Sequence, residues 1–119
     1  MSIKNLYEAI GGNYNDVVSR FGSAETVAHF VDRFLTDDSF TLLETAMAKK
    51  DAETAFRAAH TLKGVARNLG FSDLGDSASN ITEALRASRY DDACKLFGHV
   101  KADYDKIIAV IKSVAVDEN

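Results

Sequence analysis

The 119-residue chain contains no proline and no tryptophan, one cysteine and only 7 glycines. Without proline, only glycine and capping residues can stop a helix, so long uninterrupted helices are the natural expectation. Cys94 stands alone, which rules out an intramolecular disulfide and a thiolate cluster for zinc; a surface or half-buried structural thiol is the plain reading. No stretch approaches the roughly 18 apolar residues of a membrane span, and the start M-S-I-K-N-L-Y-E-A-I-G-G has no apolar core of signal-peptide length. A cytoplasmic protein with no membrane partner is therefore expected. A basic excess is missing as well: the formal charge is -4 and the pI is near 5.3, which argues against nucleic acid as a partner. Strand-like alternation, low-complexity segments and repeats are also lacking.

What remains is helical patterning. The length suits one domain over 1–119, with short N-terminal helices over 3–21 and a bundle core over 24–115. Ile3 to Ile10 has helical spacing and stops at Gly11-Gly12, and Tyr14 to Phe21 stops at Gly22. Ser23 is an N-cap candidate with Glu25 in the first turn, ahead of a stripe of Val27, Phe30, Val31, Phe34 and Leu35. Asp37-Asp38-Ser39 interrupts or re-caps that helix. Phe40, Leu43, Ala46 and Met47 carry an apolar face to Lys49-Lys50, and Asp51 can cap the next helix. Ser72 and Asp73 are cap candidates for a helix with a narrow seam of Leu74, Ala78, Ile81 and Leu85. Asp91 or Asp92 begins a last helix bearing Ala93, Leu96, Val100, Tyr104, Ile107, Ile111 and Val114, and Val116 to Asn119 is expected to fray. The fold class is all-α: an antiparallel up-and-down four-helix bundle with short additional N-terminal helices. Because the seams account for most large apolar residues, a monomer is expected.

The informative stretch is A-H-T-L-K-G-V-A-R-N-L-G, from Ala59 to Gly70. At about 100° per residue, Ala55, Ala59, Leu62, Ala66 and Leu69 fall on one core-facing seam. His60 lies roughly 140° from that seam, Gly64 about 180°, Arg67 about 120° and Lys63 about 80°. The histidine thus faces solvent among cations. Gly70 sits where a left-handed C-cap residue is expected, with Phe71 as the accompanying hydrophobic contact.

Gly64 breaks a local rule, since an interior helical glycine costs up to about 1 kcal/mol against alanine. Either a neighbouring helix needs a small residue there, or a partner's backbone must come close to His60 one turn away. Its direction, away from the seam, favours the partner. A neutral imidazole offers one nitrogen as a nucleophile toward phosphorus while the other keeps its proton. Lys63 and Arg67 are then candidates to neutralise phosphate oxygens, Lys63 at i+3 being the better placed.

H-x-L-K-G followed by x-x-x-N-L-G resembles the histidine-containing phosphotransfer (HPt) domains of two-component phosphorelays. The likeness is tight over Ala58 to Phe71, loose over the whole chain, and includes the upstream E-T-A-F-R-A-A-H. It implies that His60 accepts a phosphoryl group, that Lys63 steadies it, that Gly64 leaves room for a receiver domain and that Gly70 closes the helix. Arg67 is a second candidate for the phosphate, though family members often carry a small or polar residue there. Asn68 is a family-typical polar support. Arg57, Gly64 and Asn68 are the expected partner-binding positions. The implied partners are response-regulator receiver domains and a hybrid histidine kinase. With no G-x-G-x-x-G and no P-loop pattern, the chain is expected to be a phosphotransfer intermediate without ATP-dependent kinase activity. In-line transfer still needs a metal, so with no cofactor of its own the chain would rely on Mg²⁺ supplied by the receiver.

A sister branch, the phosphoacceptor domain of chemotaxis-type kinases, commonly holds the imidazole with a carboxylate on the next helix. A gapless comparison puts Thr82 near that position here, with Glu83 turned by about 100°. That, together with the absence of a linker tail, favours the free-standing shuttle. A helix-turn-helix reading of Ala66 to Ser72 needs apolar residues where Asp76 and Ser79 stand, and no basic residue appears before Arg86. A metal-binding bundle needs Glu-x-x-His pairs, whereas His29 follows Glu25 at i+4 and His99 stands alone. A helical adaptor that is never phosphorylated is the remaining alternative.

Overall fold

Capping chemistry sets the helix boundaries. The computed structural model describes residues 2–117, with side chains as far as 113. Among the described residues it contains α1 (Ile3–Ile10), α2 (Tyr14–Phe21), α3 (Ala24–Phe34), α4 (Ser39–Ala48), α5 (Ala52–Asn68), α6 (Ser72–Arg86) and α7 (Tyr90–Asp117), and no strand, so the fold is all-α. Side chains of Asn13, Ser23 and Asp51 accept the backbone N–H three residues on, at 3.0, 3.2 and 3.2 Å. Each thereby satisfies one of the donors that a helix start leaves unpaired.

The C-terminal ends of α4, α5 and α6 share one closure. In α5 the Phe71 N–H donates to the Ala66 carbonyl at 2.8 Å and the Gly70 N–H to the Arg67 carbonyl at 3.1 Å. Those two bonds define the Schellman motif, whose left-handed residue is Gly70 at φ 70°. The same pair of bonds closes α4 with Lys50 at φ 56° and α6 with Ser88 at φ 60°. The chain therefore reverses within two or three residues, and consecutive helices lie side by side.

α5 packs between α4 and α6, and α6 between α5 and α7. Phe40 of α4 stacks on Tyr104 of α7 with centroids 4.1 Å apart, and the Tyr90 hydroxyl donates to the Met47 carbonyl at 2.5 Å. These two contacts run in opposite order along α4 and α7, so the pair is antiparallel. The N-terminal helices hold the far end of α5. Arg20 donates to the carbonyls of Arg67 (at 3.2 Å) and Asn68, and Tyr7 is fully buried beside Phe71.

Several sequence expectations need correction. Phe30 leaves the stripe of α3: it is 36% exposed and packs on Phe21, centroids 5.0 Å apart. The N-cap of α6 is Phe71, without a side-chain cap bond; Ser72 and Asp73 already lie in the first turn, because the tight closure of α5 leaves no residue spare. The seam of α6 is broad, adding Gly75, Ser77, Thr82 and Ala84 to the four expected residues, since this helix has neighbours on two sides. α7 starts at Tyr90, one residue early, and Leu96 and Tyr104 are only half-buried. α7 is helical as far as Asp117; of the tail expected to fray, Glu118 and Asn119 lie outside the described residues, as does the side chain of Val114.

Candidate functional site

The wheel of α5 holds in three dimensions. Ala55, Ala59, Leu62, Ala66 and Leu69 are buried, and Ala58 widens the seam toward one side. Arg57, His60, Gly64, Arg67 and Asn68 are exposed, and Lys63 is partly covered. One rigid helix, clasped along its length and closed at Gly70, thus presents His60, Lys63 and Gly64 together within about one turn.

A Cβ built on Gly64 meets nothing within 4 Å. Among the described residues no other helix approaches this glycine, so the small-residue packing explanation fails and open space remains beside the imidazole. Gly75 on α6 is the opposite case: a Cβ there would stand 2.9 Å from Arg67 Cγ. Nothing in the pattern of α6 singles out Gly75, because its partner is the stem of a residue on another helix. That contact lays the Arg67 side chain across α6. Lys63 and Arg67 make no ion pair among the described residues, whereas Arg57 is paired with Glu53 one turn back.

His60 makes no side-chain hydrogen bond among the described residues; its neighbour is Phe56, edge-on with centroids 6.0 Å apart and planes at 65°. The Arg86 guanidinium lies over the Phe56 ring at 5.0 Å and pairs with Glu83 at 3.3 Å. Phe56 and Arg86 did not stand out in the sequence. The available signal was the i, i+4 spacing of Phe56 and His60, which puts both on one helix face. The Arg67–Gly75 and Phe56–Arg86 contacts fix an antiparallel register that brings Thr82 level with His60. Thr82 is fully buried and donates to its own Ala78 carbonyl at 2.6 Å, so its hydroxyl turns inward.

Beside the Gly64 face a cleft of about 540 Å³ opens between α2, α3 and the end of α5. Phe21, Phe30, Val65 and Asn68 give it an apolar floor and one amide, and Arg33, Asp37 and Asp38 add charge. Asn68 therefore faces this cleft, away from Arg67. His29, His99 and Cys94 are exposed and take no part in it. Among the described residues no three His, Cys, Asp or Glu side chains gather as a metal site would need, and no helix is long and apolar enough to cross a membrane.

A protein-family model described as the Hpt domain matches residues 29–110. No curated protein and no solved structure matches the chain. The match takes in most of α3 and all of α4, α5 and α6, and it leaves out α1 and α2, the two helices that hold the end of α5.

Proposed function

Since the chain belongs to the Hpt domain family, whose members carry phosphoryl groups on histidine in two-component phosphorelays, we propose that His60 is the phosphoacceptor of a shuttle between receiver domains. The observation that carries this reading is the exposed His60 beside Gly64, whose face is open to an approaching backbone. In this reading the described residues form one domain, and α4 to α7 are the members of an antiparallel four-helix bundle that keeps α5 rigid. α1 and α2 are the additional helices.

The unprotonated imidazole nitrogen attacks the phosphorus of a receiver phospho-aspartate. An N–P bond forms as the P–O bond to the carboxyl breaks, and the carboxylate leaves with the bonding pair. The other ring nitrogen keeps its proton. In the onward step a second receiver's carboxylate oxygen attacks phosphorus, and the N–P pair returns to the ring. Lys63 offsets charge on the phosphoryl oxygens from one turn along; Arg67 is the lesser contributor, because its stem lies on Gly75. Mg²⁺ would come with the receiver, where the phosphorylated aspartate sits. Arg57, Gly64 and Asn68, with the cleft that Asn68 lines, form the docking surface. A hybrid kinase supplies phosphate upstream, and the chain needs no ATP-dependent activity of its own.

Thr82 disfavours the chemotaxis-kinase branch, since the residue level with the imidazole is a buried threonine and not a carboxylate. The test is to incubate the full chain with a phosphorylated receiver domain. Label that survives alkali, is lost in acid and is absent from His60→Gln supports the shuttle. No label on the wild type, or equal label on His60→Gln, overturns it and leaves the unphosphorylated adaptor.

A further inference from the structure

An imidazole on an open helix face has two free torsions, and in-line attack on phosphorus uses only a narrow part of that range. A hydrogen bond from the neighbouring helix would narrow it, but among the described residues His60 has none, and Thr82 has spent its hydroxyl on Ala78. What does touch the ring is Phe56, edge-on at 6.0 Å.

We propose that Phe56 is the positioning residue for His60, holding the imidazole by an aromatic edge contact where a polar partner is lacking, and that Arg86 locks Phe56 in turn. The inference rests on the phosphoacceptor reading above. Phe56 is itself restrained. It is half-buried in a notch with Ala52 and Leu85, the Arg86 guanidinium lies 5.0 Å from its centroid, and Glu83 fixes Arg86 at 3.3 Å. Tilted rings with centroids 4.5–7 Å apart attract because the positive edge of one meets the negative face of the other. A cation over the same aromatic ring adds a second directional contact. The chain from Glu83 through Arg86 and Phe56 to His60 thus transmits the rigidity of α6 to a side chain that α6 does not touch by hydrogen bonding. Of the charged groups nearest on α5, Arg57 lies on the other side of His60 from Phe56, and Lys63 shares the Phe56 side but stands one turn beyond His60, where Phe56 stands one turn before it.

The full chain, loaded from a phosphorylated receiver in single-turnover mixing, tests this together with the NMR shifts of the His60 ring protons. Phe56→Leu keeps the apolar volume and removes the ring. It should move those protons to their unstacked positions and slow loading at saturating receiver about three- to tenfold, the worth of one aromatic pair. The receiver concentration giving half-maximal rate should not change. Phe56→Tyr should restore both readouts, and Arg86→Gln, a surface change, should slow loading in the same direction with a smaller proton shift. If Phe56→Leu matches the wild type in rate and shift, or if only the half-saturating concentration rises, the positioning role is wrong. If the wild type takes no label at all, the phosphoacceptor reading fails and this inference goes with it.

Discussion

The Tyr7 hydroxyl donates to the Leu69 carbonyl 2.5 Å away, joining α1 to the last carbonyl before the turn that ends the His60 helix. Tyr7 has no exposed surface, so removing its hydroxyl leaves a buried acceptor without a donor. Tyr7→Phe should cost about 1–3 kcal/mol, a fall of roughly 5–15 °C in Tm for a domain of this size. Thermal denaturation followed by circular dichroism checks it, and a loss below about 0.5 kcal/mol would mean that water replaces the hydroxyl.

The same phenol should make the fold sensitive to alkali. Burial pushes the Tyr7 pKa far above the ordinary tyrosine value of 10.0, and the nearby Arg20 charge only partly opposes this. The folded state thus holds a proton that the unfolded chain gives up near pH 10. The contribution of Tyr7 is complete below that pH and drains away as pH rises above it, by about 1.4 kcal/mol per unit. The stability gap between wild type and Tyr7→Phe should therefore shrink in urea titrations between pH 9.5 and about 11. A constant gap contradicts the assignment.

Much of this is legible in the sequence. α1 and α2 end at their glycines, Ser23 and Asp51 cap as their types suggest, and the α5 wheel puts His60 outside, because local propensity and period agree there. The misses are relations between elements. Phe30 fits a helical stripe by spacing, yet at that point it meets the half-buried ring of Phe21 at the edge of the core and stays exposed itself. Gly75 and Arg67, Phe56 and Arg86, and Tyr7 and Leu69 are pairs brought together by how the helices lie, and no period within one helix encodes them.

Three helices close with the same motif, but only α5 uses glycine at the left-handed position. Lys50 adopts φ 56° and is exposed, so Lys50→Gly should relieve backbone strain and stabilise the protein by about 1 kcal/mol. Gly70→Ala should do the reverse. It strains φ 70° and drives a Cβ into Val17 Cγ2, for a loss of about 2 kcal/mol or more. Opposite signs in the urea midpoints confirm the motif, and a neutral Gly70→Ala sinks it.

Lys63 is partly covered and Arg67 exposed, and it is Arg67 whose stem lies against Gly75 of α6. Lys63→Ala should therefore slow loading of His60 about tenfold or more, with stability nearly unchanged. Arg67→Ala should affect loading less and stability more, through lost packing on Gly75. Rapid-quench transfer and urea titration on both variants check the ranking. The reverse order would place the phosphate nearer the second cation.

Gly64 separates stability from function most cleanly. Its Cβ position is empty to 4 Å, so Gly64→Ala has no steric cost within the chain and should gain about 0.5–1 kcal/mol from helix propensity. If the open face admits a receiver's backbone, that same methyl stands in the partner's path, and transfer to His60 should slow, with larger side chains slowing it further. A structural glycine would show the opposite pattern, losing stability on substitution and losing transfer only in proportion. A variant that melts higher and transfers more slowly therefore identifies Gly64 as the point of approach. One that melts higher and transfers normally means that the partner reaches His60 from the Phe56 side instead.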